Sequence, residues 1–391
     1  YLKYISTFAI NIMAGLYLHV PFCSSKCSYC AFYSVTNNQL KQDYIEAVCK
    51  ELYLRKHFFQ DIHLKNNQFD PVVNTVYFGG GTPSCLGESD FEKIFNTIYD
   101  CFGSSFEEVT IECNPDDITL PYAKILKKYA NRISLGIQTF NNDQLKLINR
   151  RHNAEEAIKA VNIIKEVGIS NISIDLIFGF PKEMLADWLF DINQAIKLDV
   201  QHVSAYSLMF EEGTKLYHLL QKEKIEQISE ELSVEMYDVL IDKLSEAGLV
   251  QYEISNFAKP GFESRHNSSY WNETPYLGVG PSAHSYNLFT RSWNVSNVSQ
   301  YVKSISKGIL PLEEEQIDVI TRYNDLITTA LRTKEGIHLN ALQEDYAQYL
   351  LEQSSEFIKE GTMIKTSDNR LALTRKGYYI SDAIMAELIK V

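Results

Sequence analysis

Along the first half of the chain, short segments of alternating apolar and polar positions are followed by longer segments with apolar residues three to four apart. Residues 16–20 alternate and stop at Pro21, which predicts a short buried strand. After the turn signal Asn37-Asn38, residues 40–59 carry Tyr44, Ile45, Val48 and Leu52 at helical spacing, and Asn66-Asn67 closes that segment. Residues 75–78 read as a second buried strand running into Gly79-Gly80-Gly81-Thr82-Pro83, ahead of a helix over 90–101. The pattern continues with strands over 109–113, 132–138, 172–178 and 203–208. Helices are predicted over 120–129, 142–149, 154–167 and 188–198. Strand, loop and helix thus recur about six times between residues 16 and 208, which predicts an α/β fold, either a parallel barrel or an open sheet with helices outside. In such barrels reactive residues gather at the carboxyl ends of the strands. The cysteine loop, the triple glycine, Glu112 and Gln138 all fall there, and Asp175 lies within the fifth strand.

From about residue 211 the periodicity changes. A long amphipathic helix over 230–247 is capped by Gly248, and residues 250–254 read as a strand. An aromatic, glycine-rich stretch follows, holding Arg265 to Trp271 and Tyr276 to Ser285. The tail is mostly helical, with a strand-turn-strand over 363–373 around Asp368-Asn369, an α+β, winged-helix-like pattern. The expected division is 1–13 as an N-terminal extension, 14–210 as the barrel, 211–296 as its extension and 297–391 as the C-terminal domain.

Composition narrows the function classes. A net charge of −13 over 391 residues argues against a grip on nucleic acid backbones, even with a winged-helix-like tail. Seven cysteines, an odd number, do not form a secreted disulfide framework and fit a reducing cytoplasm. No run approaches the ~18 apolar residues of a membrane span.

Cys23, Cys27 and Cys30 follow the first strand with the spacing C-x3-C-x2-C. A tight loop can aim three thiolates at one point, as zinc or an iron–sulfur cluster requires. A structural zinc site is normally closed by a fourth Cys or His, yet none appears between Cys30 and Cys49. Three thiolates leave one corner of a 4Fe-4S cluster open to an exchangeable ligand. A structural or regulatory zinc protein stays as one alternative. Cys49, Cys85, Cys101 and Cys113 read as packing residues. Taken alone, Gly79 to Pro83 suits either a tight turn or a close approach of backbone to a ligand.

The cysteine spacing behind Y-L-H-V-P-F, with Tyr29 before the last cysteine, resembles the signature of the radical S-adenosylmethionine (SAM) superfamily. In order along the chain, GGGTP, TIECNP, SLGIQTF, INRRH and SIDLIFGFP resemble the anaerobic coproporphyrinogen III dehydrogenase family, which includes the HemW-type haem chaperones. The resemblance extends from Leu16 into the tail and implies a partial (βα)6 TIM-like barrel. By motif position it implies a 4Fe-4S cluster on Cys23, Cys27 and Cys30. SAM would lie against Tyr17 and Tyr29, its amino end held by Gly80, Gly81 and Thr82, with Glu112, Gln138, Arg150 and Asp175 lining the rest of the pocket. Carboxylates accept from ribose hydroxyls and ammonium, and a guanidinium pairs with a carboxylate.

Two departures favour the haem-chaperone branch over an oxygen-independent coproporphyrinogen III dehydrogenase. Phe32 stands where the dehydrogenases carry a fourth cysteine, and only 22 residues precede Cys23. His266-Asn-Ser-Ser-Tyr-Trp271 also matches the H-N-x-x-Y-W motif associated with haem in that branch. His266 is the first candidate haem ligand and His284 the second. The partners so implied are haem and haem-acceptor proteins, membrane-bound acceptors included. Where SAM is cleaved, an electron donor such as flavodoxin or ferredoxin is implied too. A homodimer is compatible with this reading.

Overall fold

The computed structural model describes residues 13–60, 62 and 71–390. Residues 1–12 of the extension expected over 1–13, and the Asn66-Asn67 turn, lie outside the described residues. The first strand begins at Met13, three residues ahead of its expected start.

Strands and helices alternate as β1 (Met13–Val20), α1 (Lys41–Leu54), β2 (Val72–Gly80), α2 (Glu88–Phe102), β3 (Glu108–Cys113) and α3 (Leu120–Tyr129). They continue as β4 (Arg132–Gln138), α4 (Asn142–Leu147), α5 (Ala154–Glu166), β5 (Asn171–Phe178), α6 (Leu185–Lys197) and β6 (His202–Ser207). The six strands pair in parallel and in chain order. On β1 the alternation sorts side chains cleanly: Ala14, Leu16, Leu18 and Val20 are buried in the main core, while Gly15, Tyr17 and His19 point to the opposite face. The helices cover the first face. In α5, Ala157, Ala160, Val161 and Ile164 are buried, and each fully buried Val or Ile contributes about 1.5–3 kcal/mol. Asn153 starts this helix through a capping box with Glu156, and Gly168, at φ 84°, turns the chain after its end.

Next come α7 (Lys215–Gln221), α8 (Glu230–Glu246), β7 (Val250–Glu253), β8 (Asn256–Ala258) and α9 (Arg265–Trp271). They are followed by β9 (Tyr276–Val279), β10 (His284–Tyr286), β11 (Thr290–Asn294), α10 (Val298–Ser306) and β12 (Leu312–Gln316). β9 pairs in parallel with β1, and β10, β11 and β12 extend the sheet beyond it. This extension is locked to α1 by Glu51, which has no exposed surface. Its carboxylate accepts from Gly280 N (2.9 Å), Asn294 Nδ2 (2.8 Å) and Tyr301 OH (2.6 Å). Arg55 lies beside it and donates to Gly278 O at 3.0 Å.

Val298, Tyr301 and Ile305 belong to the main core, and β12 pairs with β11. The second core therefore starts later than residue 297, with Tyr323. It is built from α11 (Val319–Ala330), β13 (Ile337–His338), α12 (Glu344–Gln353), α13 (Ser355–Glu360), β14 (Met363–Lys365) and β15 (Arg370–Leu373). The short α14 (Arg375–Tyr378) and α15 (Ser381–Leu388) complete it. Helix, strand, two helices and two strands, with sheet order β13-β15-β14, form a winged-helix-like unit. Asn369, at φ 64°, makes the tip of its hairpin. Among the described residues no helix is long and apolar enough to cross a membrane.

Candidate functional site

Side chains from β2 to β6 line one cavity of about 580 Å³ at the carboxyl ends of the strands, so the sheet curves around it. The loop after β1 forms its rim. Its ends are pinned together by Cys23 N on Val35 O (2.9 Å) and Val35 N on Pro21 O (2.7 Å). Its middle is braced by Ser28 N on Ile148 O (2.9 Å) and by Leu216 N, at the start of α7, on Ser28 O (2.8 Å). Cys23, Cys27 and Cys30 all line the cavity as free thiols. Arg150 Nη1 lies 3.4 Å from Cys27 Sγ and Thr82 Oγ1 3.5 Å from Cys23 Sγ, so both sulfurs face donors. Among the described residues no group of three or more His, Cys, Asp or Glu is arranged to hold a metal ion. Thiols spread around a cavity suit the separate corners of a cluster better than a single ion.

The glycine segment forms the adjacent wall. Gly80 adopts φ +105°, and a Cβ on Gly81 would come within 2.9 Å of the carbonyl oxygens of Val20 and Phe22. That close approach brings bare backbone to the cavity, with Thr82 beside it. From β3 comes Glu112, whose Oε1 accepts from Tyr77 OH at 2.7 Å. Burial, reinforced by Asp175, raises the Glu112 pKa to about 7, while the Tyr77 hydroxyl and the Gly80 N–H oppose the shift. Asp175 is likewise raised by burial, with Ser204 and Arg132 opposing. Gln138 stands at φ 73° where the β4–β5 register shifts, and this irregularity places it on the lining. Arg150 reaches the cavity from the turn after α4 and donates to Gly136 O. A Cβ on Gly136 would collide with both Arg150 and Gln138.

The structure therefore gathers the three cysteines, Tyr29, Gly80, Gly81, Thr82, Glu112, Gln138, Arg150 and Asp175 around one cavity. Tyr17, His266 and His284 are not on its lining. Tyr17 lies just beneath, its hydroxyl 3.3 Å from His19 Nδ1 and its ring stacked near Tyr77. His266 lies deeper and is 1 % exposed. Its Nδ1 is 2.9 Å from Thr75 Oγ1 and its Nε2 is 3.0 Å from Tyr270 OH. Both ring nitrogens of this first candidate haem ligand are thus hydrogen-bonded within the protein. Burial and Arg132 lower its pKa to about 3, so the ring is neutral. His284 is exposed at the start of β10, its ring 5.9 Å from that of Trp293 at an interplanar angle of 27°. No hydrogen-bond partner for its ring occurs among the described residues. Phe32 is 71 % exposed on the cavity rim.

Sequence reasoning missed two residues of this site. Tyr77 holds Glu112, and Arg132 is buried beneath the two acids with Nε and Nη1 unpartnered. Their signal was the strand alternation itself, since Arg132, Ser134, Gly136 and Gln138 share one face of β4.

The radical SAM superfamily model matches residues 17–195. A protein of Bacillus subtilis named heme chaperone HemW is 33 % identical over 96 % of this chain and 99 % of its own. The protein of that name from Lactococcus lactis is 32 % identical over 95 % and 96 %. In fold, the chain resembles the coproporphyrinogen III oxidase HemN of Escherichia coli, a radical SAM enzyme. The TM-score is 0.80 at 20 % identity, over 97 % of this chain and 91 % of that one. Cysteine loop, glycine segment and near full-length similarity together make this chain a member of the radical SAM superfamily and, within it, of the HemW family.

Proposed function

We propose that this protein is a haem chaperone: it holds a 4Fe-4S cluster on Cys23, Cys27 and Cys30, binds SAM in the adjoining cavity, and binds haem and passes it to acceptor proteins. The observation that carries this reading is the similarity, over almost the whole chain, to proteins named heme chaperone HemW. Seven free cysteines suit a reducing compartment, the cytoplasm.

When bound, the cluster and SAM supply one-electron chemistry. The chain's own contribution is placement. Arg150 and Thr82 direct donors at the cluster sulfurs, which tunes the cluster's potential. Gly80 and Gly81 offer backbone to the SAM amino group, while Glu112 and Asp175 supply buried acceptors on the cavity lining. For haem iron the fitting imidazole is His284, which reaches the surface while its partial desolvation and Arg291 lower its pKa, with the Trp293 ring beside it to lie against a macrocycle.

The shared fold with HemN keeps a second reading in view, oxidative decarboxylation of coproporphyrinogen III. Anaerobically reconstituted protein, incubated with coproporphyrinogen III, SAM and a low-potential reductant, should leave the porphyrinogen unchanged. The same preparation should bind haem with a Soret band, and His284→Ala should weaken that titration about tenfold. Protoporphyrinogen formed over many turnovers would instead make the protein a dehydrogenase. An unaltered haem titration in His284→Ala would remove that residue from the haem site.

A further inference from the structure

The H-N-S-S-Y-W segment forms α9, and α9 lies against the starts of the parallel strands, at the end of the strands away from the cysteines. Glu108, the first residue of β3, anchors it by accepting from Arg265 N (2.9 Å) and His266 N (3.0 Å). Its carboxylate thus satisfies the donors at the opening of the helix. Gly15 of β1 makes room for the His266 ring, since a Cβ there would lie 3.0 Å from the ring's Cε1. Thr75 and Tyr270 hold the two ring nitrogens, so the imidazole is fixed in plane as well as in position.

Above the imidazole the chain of contacts is short. The Tyr77 ring stacks on His266 with centroids 5.1 Å apart and planes 25° apart, and Tyr17 lies at 6.4 Å and 26°. Tyr77 then donates its hydroxyl to Glu112 Oε1 at 2.7 Å, and Glu112 lines the cavity. Gly79 leaves the gap that Tyr17, Tyr77 and Glu112 share, because a Cβ there would lie within 3.1 Å of all three.

We propose that His266 is a positioning residue for SAM: it sets the Tyr77 ring from below, Tyr77 sets the Glu112 carboxylate, and the H-N-S-S-Y-W segment thereby shapes the SAM pocket rather than ligating haem. The inference rests on the SAM reading of the cavity given above.

The test uses full-length, cluster-reconstituted protein. SAM affinity is read from the change SAM causes in the electron paramagnetic resonance spectrum of the reduced cluster, and haem binding from the Soret titration. His266→Ala should weaken SAM about tenfold, with cluster iron, sulfide and the haem titration unchanged. Tyr77→Phe keeps the stack and removes only the hydroxyl, so it should weaken SAM about threefold and decides the matter should the first variant fail to fold. Unchanged SAM affinity in Tyr77→Phe overturns the relay. Retained SAM affinity with lost haem binding in His266→Ala returns the residue to haem. Wild-type protein without SAM affinity overturns the cavity reading, and the relay with it, whereas normal wild-type affinity matched by His266→Ala overturns the relay alone.

Discussion

Glu112 is buried at the end of β3 beside a second acid, Asp175, and its pKa of about 7 places its charge change near neutral pH. A carboxyl raised above its unfolded value favours the folded chain fully below that unfolded value, and the contribution is lost as pH rises through about 7. The ligand-free protein thus loses stability as Glu112 ionises. In the SAM site proposed above, the same ionisation would create an acceptor for the SAM ammonium. SAM affinity should therefore rise between about pH 6 and about pH 8, and Glu112→Gln should flatten that profile, as calorimetric titration across the range will show. A profile of equal slope in the Gln variant would transfer the titration to Asp175. At this scale the gathering of the cysteines, the glycines and Glu112 on one cavity was legible, because each occupies a strand end or a fixed spacing, whereas Asp175, within β5, was placed by motif position. The depth of His266 was not legible, since one sequence pattern serves a surface ligand and a buried brace equally. Arg132 shows its face by alternation, but that β4 pairs between β3 and β5, which brings it beneath both acids, is not in the pattern.

Among the elements, the six parallel strands and their helices were legible because each strand is long enough to alternate and each helix long enough to show a face. β9 and β10 were not. They span four and three residues, too few for a period, and β9 pairs with β1 from the far end of the chain. What holds that remote pairing is equally invisible in sequence: Glu51, an apparently ordinary helical glutamate, has no exposed surface. Glu51→Ala removes the shared acceptor of Asn294, Tyr301 and the Gly280 amide and leaves Arg55 without its buried counter-charge. The expected cost is about 3–5 kcal/mol, measurable by denaturant unfolding. A change below about 1 kcal/mol would mean that water replaces the carboxylate.

For the whole molecule, the winged-helix-like unit is tied to the α/β unit through backbone and through side chains, Asp325 on Arg291 and Arg322 on Glu273 among the latter. Backbone joins them through Ile254 N on Arg332 O (2.9 Å) and Lys334 N on Tyr252 O (3.1 Å). Side chains join them through Arg375, whose guanidinium meets Asp238 (2.5 Å) and Asp242 (2.6 Å) on α8. The Arg375 side chain is 39 % exposed, so solvent screening limits the pair to about 1 kcal/mol. Arg375→Ala should leave global stability within that margin while hydrogen exchange in α14 and α15 accelerates; unchanged exchange there would mean that the remaining ties, Tyr379 on Asp238 and the backbone pair, hold these helices without it.

The free edge of the large sheet has a consequence for assembly. Among the described residues β12 pairs with β11 on one side only, and it carries the exposed Glu313, Glu314 and Glu315 in succession. A second copy docking antiparallel on this edge about Glu314 would set Glu313 against Glu315, and Glu314 against its own counterpart. Like charges directly opposite across a ladder repel. This edge is thus charge-guarded against lengthening the sheet into an intermolecular ribbon.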